Sequence, residues 1–198
     1  MKYVLAVIVL LALCSSAQAF DSMGGVTYHI SFPLGNTSDF IDATSWRGWG
    51  LEGRWFSTDQ VSFGLSWHWT AFHQQARGTW PVEGGHVSGP QFRRLTSSPF
   101  LVDAHYHFVD PRDRYQKYIP YLGLGLGAYW IETRHEIGVF AFEDRNWHFG
   151  FAPEGGILIN LKYETYAMIT VRYNYAFKSG DTESIQYFAL MLGLAYLE

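Results

Sequence analysis

The chain has 198 residues, 14 Lys+Arg against 18 Asp+Glu, and a formal net charge of −4. That balance argues against a nucleic-acid partner, which would call for a basic patch or stripe, and the length suits one domain. Hydrophobic residues make up 48%, aromatics 18% and charged residues only 16%, whereas average soluble domains carry about 25% charged residues.

At the start, Lys2 precedes the apolar run VLAVIVLLAL and the small-residue site Ala17-Gln18-Ala19. A basic start, an apolar stretch too short to span a bilayer and an A-x-A site read as a secretory signal peptide over 1–19. The exported domain is then 20–198, beginning at Phe20. The single cysteine, Cys14, falls in the removed segment, so no disulfide is expected. After Ala19 no apolar run is long enough for a transmembrane helix.

Eight segments with period-two alternation follow, at 25–35, 46–57, 61–73, 98–110, 116–132, 145–161, 165–177 and 185–198. Alternation of this kind marks strands, because successive side chains point to opposite faces. The connections 57–60, 110–114 and 161–165 are short and rich in turn formers or charge. Those at 36–45, 74–97 and 133–144 are longer, and 178–183 is of middling length. Tight turns at one end and generally longer loops at the other is the layout of a membrane barrel.

A soluble barrel carries the same alternation turned inside out, so the chemistry of the two faces decides. In 61–72, Val61, Phe63, Leu65, Trp67 and Trp69 oppose Ser62, Gly64, Ser66, His68 and Thr70. A water-facing wall would use charged residues. Gly, Ser and His suit the narrow lumen of an eight-stranded barrel, and the large apolar residues suit lipid. Tryptophans and tyrosines gather towards strand ends, Trp46, Trp49, Trp69, Trp130 and Trp147 at one level and Trp55, Phe63, Tyr118 and Tyr163 at the other, as in two interfacial girdles.

The strand rhythm, the hairpin SWRGWGLEGRWFSTDQVSFGLSWHW (45–69) and the closing LGLAYLE resemble the small eight-stranded outer-membrane β-barrel proteins of the OmpX and OmpW kind. Gly193 and Tyr196 match the family's closing pattern, and Glu198 stands where that pattern has an aromatic residue. The resemblance implies an all-β, eight-stranded, antiparallel, up-and-down transmembrane barrel in the bacterial outer membrane, monomeric and without cofactor. It implies a structural or surface-interaction role, and as alternatives a narrow passive channel for small apolar molecules or a lipid A-modifying enzyme. Outer-membrane lipids, lipopolysaccharide and a host or cell-surface ligand are the expected partners, and no catalytic role is expected.

By parity the lumen receives His29, Ser31, Glu52, Arg54, His68, Asp103, His105, His107, His148, Glu154, Thr170, Arg172 and Asn174. Charges out of water must be paired, so Arg54 and Arg172 are expected to bridge Glu52, Asp103 and Glu154 as a plug. DAHYH puts Asp103, His105 and His107 on one face, a donor set for a transition metal, but polar lumen walls produce such pairs readily and no metal is expected. His29 and Ser31 form a His-x-Ser pair like that of lipid A deacylases, which use it on the lipid-facing side, whereas parity here turns it inward. GLGLG at 123–127 lacks the dinucleotide fingerprint and reads as lumen glycines making room for bulky neighbours. Loops present binding residues, and the longest connection offers Arg77, Trp80, Arg93 and Arg94.

Overall fold

The computed structural model describes residues 21–82, 85–113, 115–137, 140–162, 164–180 and 182–198. The segment read as a signal peptide lies outside them, as does Tyr163. Alternating segments with turn formers between them fold as successive antiparallel hairpins. The strands are β1 (Ser22–Leu34), β2 (Gly48–Phe56), β3 (Val61–Val82), β4 (Gly85–His107), β5 (Tyr118–Ile137), β6 (Phe140–Lys162), β7 (Thr165–Ala176) and β8 (Ile185–Leu197), with one short helix, α1 (Gly35–Phe40), after β1. Each strand pairs with its sequence neighbours and β1 pairs with β8, closing the barrel. Closure leaves the spanning part without an open sheet edge.

The wall is apolar outside and polar or small inside. Val26, Leu51, Leu65, Val102, Leu122, Leu124, Val171 and Leu194 are all exposed on the outer face. A large exposed apolar band marks a surface made for something other than water, and here it circles the barrel as lipid-facing residues do. No helix among the described residues is long and apolar enough to cross a membrane. Trp49 opposes Trp69, and Trp130 opposes Trp147, so the four form one aromatic level at the top of this band.

The strands outrun the expected boundaries on one side. Within 74–97 and 133–144, read from sequence as loops, the described residues are paired strand: the β3–β4 ladder continues to Val82 opposite Gly85, and β5–β6 to Ile137 opposite Phe140. The physical reason is that lipid no longer enforces clean alternation above the membrane, so Gly, Pro and charges there mimic loop composition while the ladder persists. A membrane crossing needs about 9–11 tilted residues, yet β3 to β6 have 22, 23, 20 and 23. The surplus stands above the barrel as a four-stranded sheet.

The connection 36–45 also departs from a plain loop. Thr37 of α1 accepts a hydrogen bond at Oγ1 from the Gln186 amide at 2.7 Å. Asp42 and Gln74 bond reciprocally, at 3.2 and 2.5 Å, and Arg93 donates to the Phe40 carbonyl at 2.8 Å. These ties drive Ile41 into the barrel mouth, where it is 0% exposed. At the opposite rim Arg112 meets Asp110 and Asp21, each at 3.0 Å, and Asp59, tying two turns to the residue that precedes β1.

Candidate functional site

The lumen has three layers. In the middle layer, Arg54 Nη2 donates to Glu52 Oε2 at 2.9 Å and to the Tyr121 hydroxyl at 3.0 Å, with its guanidinium 4.4 Å above the Tyr121 ring. Glu154 Oε1 lies 3.6 Å from Arg54. Arg172 Nε donates to Glu154 Oε2 at 2.6 Å, and its Nη2 lies 3.6 Å from Glu52 and 4.0 Å from Asp103. Arg172 also reaches Ser66 Oγ and His68 Nε2. With His68 Nε2 accepting, its Nδ1 carries the proton and donates to His29 Nε2 at 3.2 Å; the tautomer follows from the network rather than from a seen hydrogen.

Glu154 is the hub, taking both arginines and His105 Nε2, which donates at 2.9 Å. Both guanidiniums are almost fully buried, Arg54 2% and Arg172 1% exposed, and each is compensated by carboxylates as burial demands.

Glycine makes the layer possible on the facing strand. A Cβ at Gly123 would strike His105 and Glu154, and one at Gly125 would strike Asp103 and Leu101. The space at these two glycines is therefore taken by Asp103 and His105 of β4 and Glu154 of β6, with Leu101 beside them, rather than by Tyr121 or Tyr129.

Apolar layers close both ends. Towards the mouth, Ile41, Phe72, Leu95, Leu101, Ile131 and Met191 belong to one cluster. Towards the tight turns, Met23, Phe56, Ile119, Leu158, Met168 and Leu197 belong to another. Side chains thus fill the lumen along its length, as expected for eight strands.

The sequence-derived candidates separate on inspection. Asp103 faces Arg172, His105 faces Glu154, and His107 Nε2 lies 3.0 Å from Ser62 Oγ; no cluster of three metal-ligand side chains occurs among the described residues. His29 Nε2 bonds Thr27 Oγ1 at 2.7 Å while Ser31 Oγ lies 3.5 Å from Thr70 Oγ1, so the two do not form a nucleophile-base pair. Arg77 and Trp80 run in the backbone of β3, and their side chains lie outside the described residues. Arg93 turns into the mouth and Arg94 turns outward. Ser66 and Thr170 join the polar layer from the lumen face that parity gives them; the member that sequence reading missed is the Tyr121 hydroxyl, on a residue that parity also turns inward. Sequence reading also missed Ile41 as a plug and Arg112 as a rim clasp.

No protein-family model matches the sequence, and no curated protein matches it. The fold, however, matches solved structures. Neisserial surface protein A superposes with a TM-score of 0.56 at 13% identity, over 89% of this chain and 96% of that one. Ail, the attachment invasion locus protein of Yersinia pestis, gives 0.54 at 12%, over 90% and 99%. OprG, an outer membrane protein of Pseudomonas aeruginosa, gives 0.53 at 15%, over 91% and 96%. At these identities the likeness is one of fold: this chain is built as the small outer-membrane barrels are.

Proposed function

We propose that this protein is a monomeric, non-catalytic barrel of the bacterial outer membrane, and that it works by presenting the sheet above its mouth to molecules at the cell surface. The observation that carries the reading is the protruding part of β3 to β6. Pairing of β3 with β2 stops at Thr70 opposite Gly48, with one further bond from the Ala71 amide to Arg47. Pairing of β6 with β7 stops at Gly150 opposite Ala176 and the Phe177 amide bond to Phe149. Beyond these points each of the two outer strands has a backbone edge with no strand beside it among the described residues. Such an edge can take up an extended segment of another protein by strand addition, and Pro81, with no N–H to offer, blunts the far end of one of them.

The plugged lumen supports the same reading, since a three-layered packed interior leaves the outside of the molecule as the place for function. The expected result in planar bilayers is no large stable single-channel current. Shortening both hairpins to the level of the aromatic girdle should abolish binding of cells to target surfaces while keeping the gel shift between unboiled and boiled protein. Equal binding by the shortened protein would end the proposal.

A narrow passive channel for small apolar molecules has one observation in its favour. The β3–β4 ladder skips from Trp67 opposite Phe100 to Thr70 opposite Ser97, where Pro99 interrupts it, and a groove on the lipid-facing wall nearby is lined by Leu51, Leu65, Trp67, Phe100 and Val102. Uptake of an apolar dye into proteoliposomes that a Pro99→Ala variant loses would favour it.

A further inference from the structure

Neighbouring residues on a strand face opposite ways, so the dipeptide Arg93-Arg94 is split between mouth and outer wall. The companions of Arg94 come from other strands. Register sets His73 directly opposite it on β3 and Arg134 directly opposite it on β5, at the roughly 4.5–5.5 Å Cβ spacing of facing residues. Arg47 joins from the start of β2, since its carbonyl accepts the Ala71 amide at 3.0 Å and Ala71 is one outward step below His73. All four side chains are exposed on the outer wall, just above the Trp49, Trp69, Trp130 and Trp147 level.

Like charges in facing positions destabilise a sheet unless something compensates them. On the β5–β6 side the protein supplies the counter-charge: Arg134 pairs with Glu136 at 2.5 Å, and Arg145 with Glu143 at 2.8 Å and Glu132 at 3.4 Å. On the β2–β4 side it does not, for Arg47 and Arg94 have no ion pair among the described residues. His73, above the girdle and clear of the spanning segment, has its charged form disfavoured by burial, by Arg94 and by Arg47. A groove of about 520 Å³ runs past His73, Gln75, Phe92, Arg94 and Arg134, with Arg93 at its edge and Glu136, the partner of Arg134, also in its wall.

We infer that Arg47, His73 and Arg94, flanked by Arg134, form a binding site for the phosphate of an outer-leaflet glycolipid headgroup. The guanidinium fork matches phosphate oxygens two at a time. The site opens sideways from the wall at headgroup height rather than upward to solvent, which selects a lipid over a soluble anion. This assignment rests on the membrane-spanning reading of the barrel.

The test uses the full exported chain in phosphatidylcholine vesicles doped with lipid A carrying its two phosphates, or with the phosphate-free form. Lipid retained on detergent extraction is read by native mass spectrometry. Wild type should retain the phosphorylated form at least tenfold better. The double variant Arg47→Gln/Arg94→Gln should fall to the phosphate-free level, Arg94→Lys should lie between, and Arg112→Gln, at the opposite rim, should match wild type. The His73 imidazole, followed by NMR, should titrate at higher pH when the phosphorylated lipid is present, because the anion offsets both arginines.

Equal retention by the double variant and wild type overturns the site, and a His73 shift produced as fully by inorganic phosphate at the same phosphorus concentration overturns the lipid assignment. An unchanged unboiled-against-boiled gel shift in the variants shows that the barrel persists. A wild type without that shift, soluble without detergent, would bring down the membrane reading itself.

Discussion

Two sets of arginines sit on opposite sides of the same wall. Inside, Arg54 and Arg172 have Glu52, Asp103 and Glu154 within 4.0 Å. Outside, at the upper rim, Arg47 and Arg94 have no ion pair among the described residues, although Glu132 and Glu136 stand on β5, the strand next to Arg94, where they pair with Arg145 and Arg134. A sealed lumen admits no counter-ion, so the chain must encode one. At the rim the surroundings can supply it, and the protein leaves the charge open.

The largest effect should come from breaking the inner set. Arg172→Ala leaves Glu154 and its neighbours buried without their main cation, and loss of one partner of such a pair costs about 3–5 kcal/mol. Urea unfolding from lipid vesicles should show that loss, with the unboiled gel form converting at lower temperature. A charge put where the wall offers none should follow. Val102, 60% exposed near mid-wall, replaced by Arg should cost about 2–4 kcal/mol in the same assay, the penalty for a cation at the bilayer midplane.

The clasp at the opposite rim should matter less. Arg112→Ala removes three pairings with partly exposed acids, each worth about 1 kcal/mol or less. The difference from wild type should shrink as salt is raised from 0.01 to 1 M, as screening requires. Least of all, Arg47→Gln with Arg94→Gln should leave unfolding within about 0.5 kcal/mol, since no native ion pair is lost. A cost near that of Arg172→Ala would show that the rim arginines are compensated by the protein after all, and the contrast would collapse.

The same wall explains what could be read from sequence. Lipid outside and a packed lumen inside force alternation, so the parity of His29, Glu52, Arg54, Asp103, Glu154 and Arg172 followed from spacing alone; all six are buried. Which acid meets which arginine did not follow, because cross-strand partners depend on register, and register is set by turns and shear rather than by local pattern. Above the girdle the forcing ends. Pro81, Gly85 and Gly89 look like loop residues, and the continuing ladder was invisible. Loop composition over 74–97 says nothing of which way Arg93 and Arg94 face, whereas a strand sends them to opposite faces. Ile41 and Phe40 were overlooked because the segment around them, rich in Asp, Ser and Thr, reads as solvent-facing.

The ladders between β4 and β5 and between β5 and β6 run without a break from the protruding sheet down into the wall. A partner pulling on the sheet therefore loads these strands along their own axes. The hydrogen bonds of a ladder lie across that direction, so a whole row resists together in shear instead of opening one by one as in a peeled hairpin. With α1 and its flanking segment tied to β3, β4 and β8 around the mouth, traction at the tip passes into the closed barrel and from there to the surrounding bilayer, which makes the molecule a mechanical anchor as well as a display.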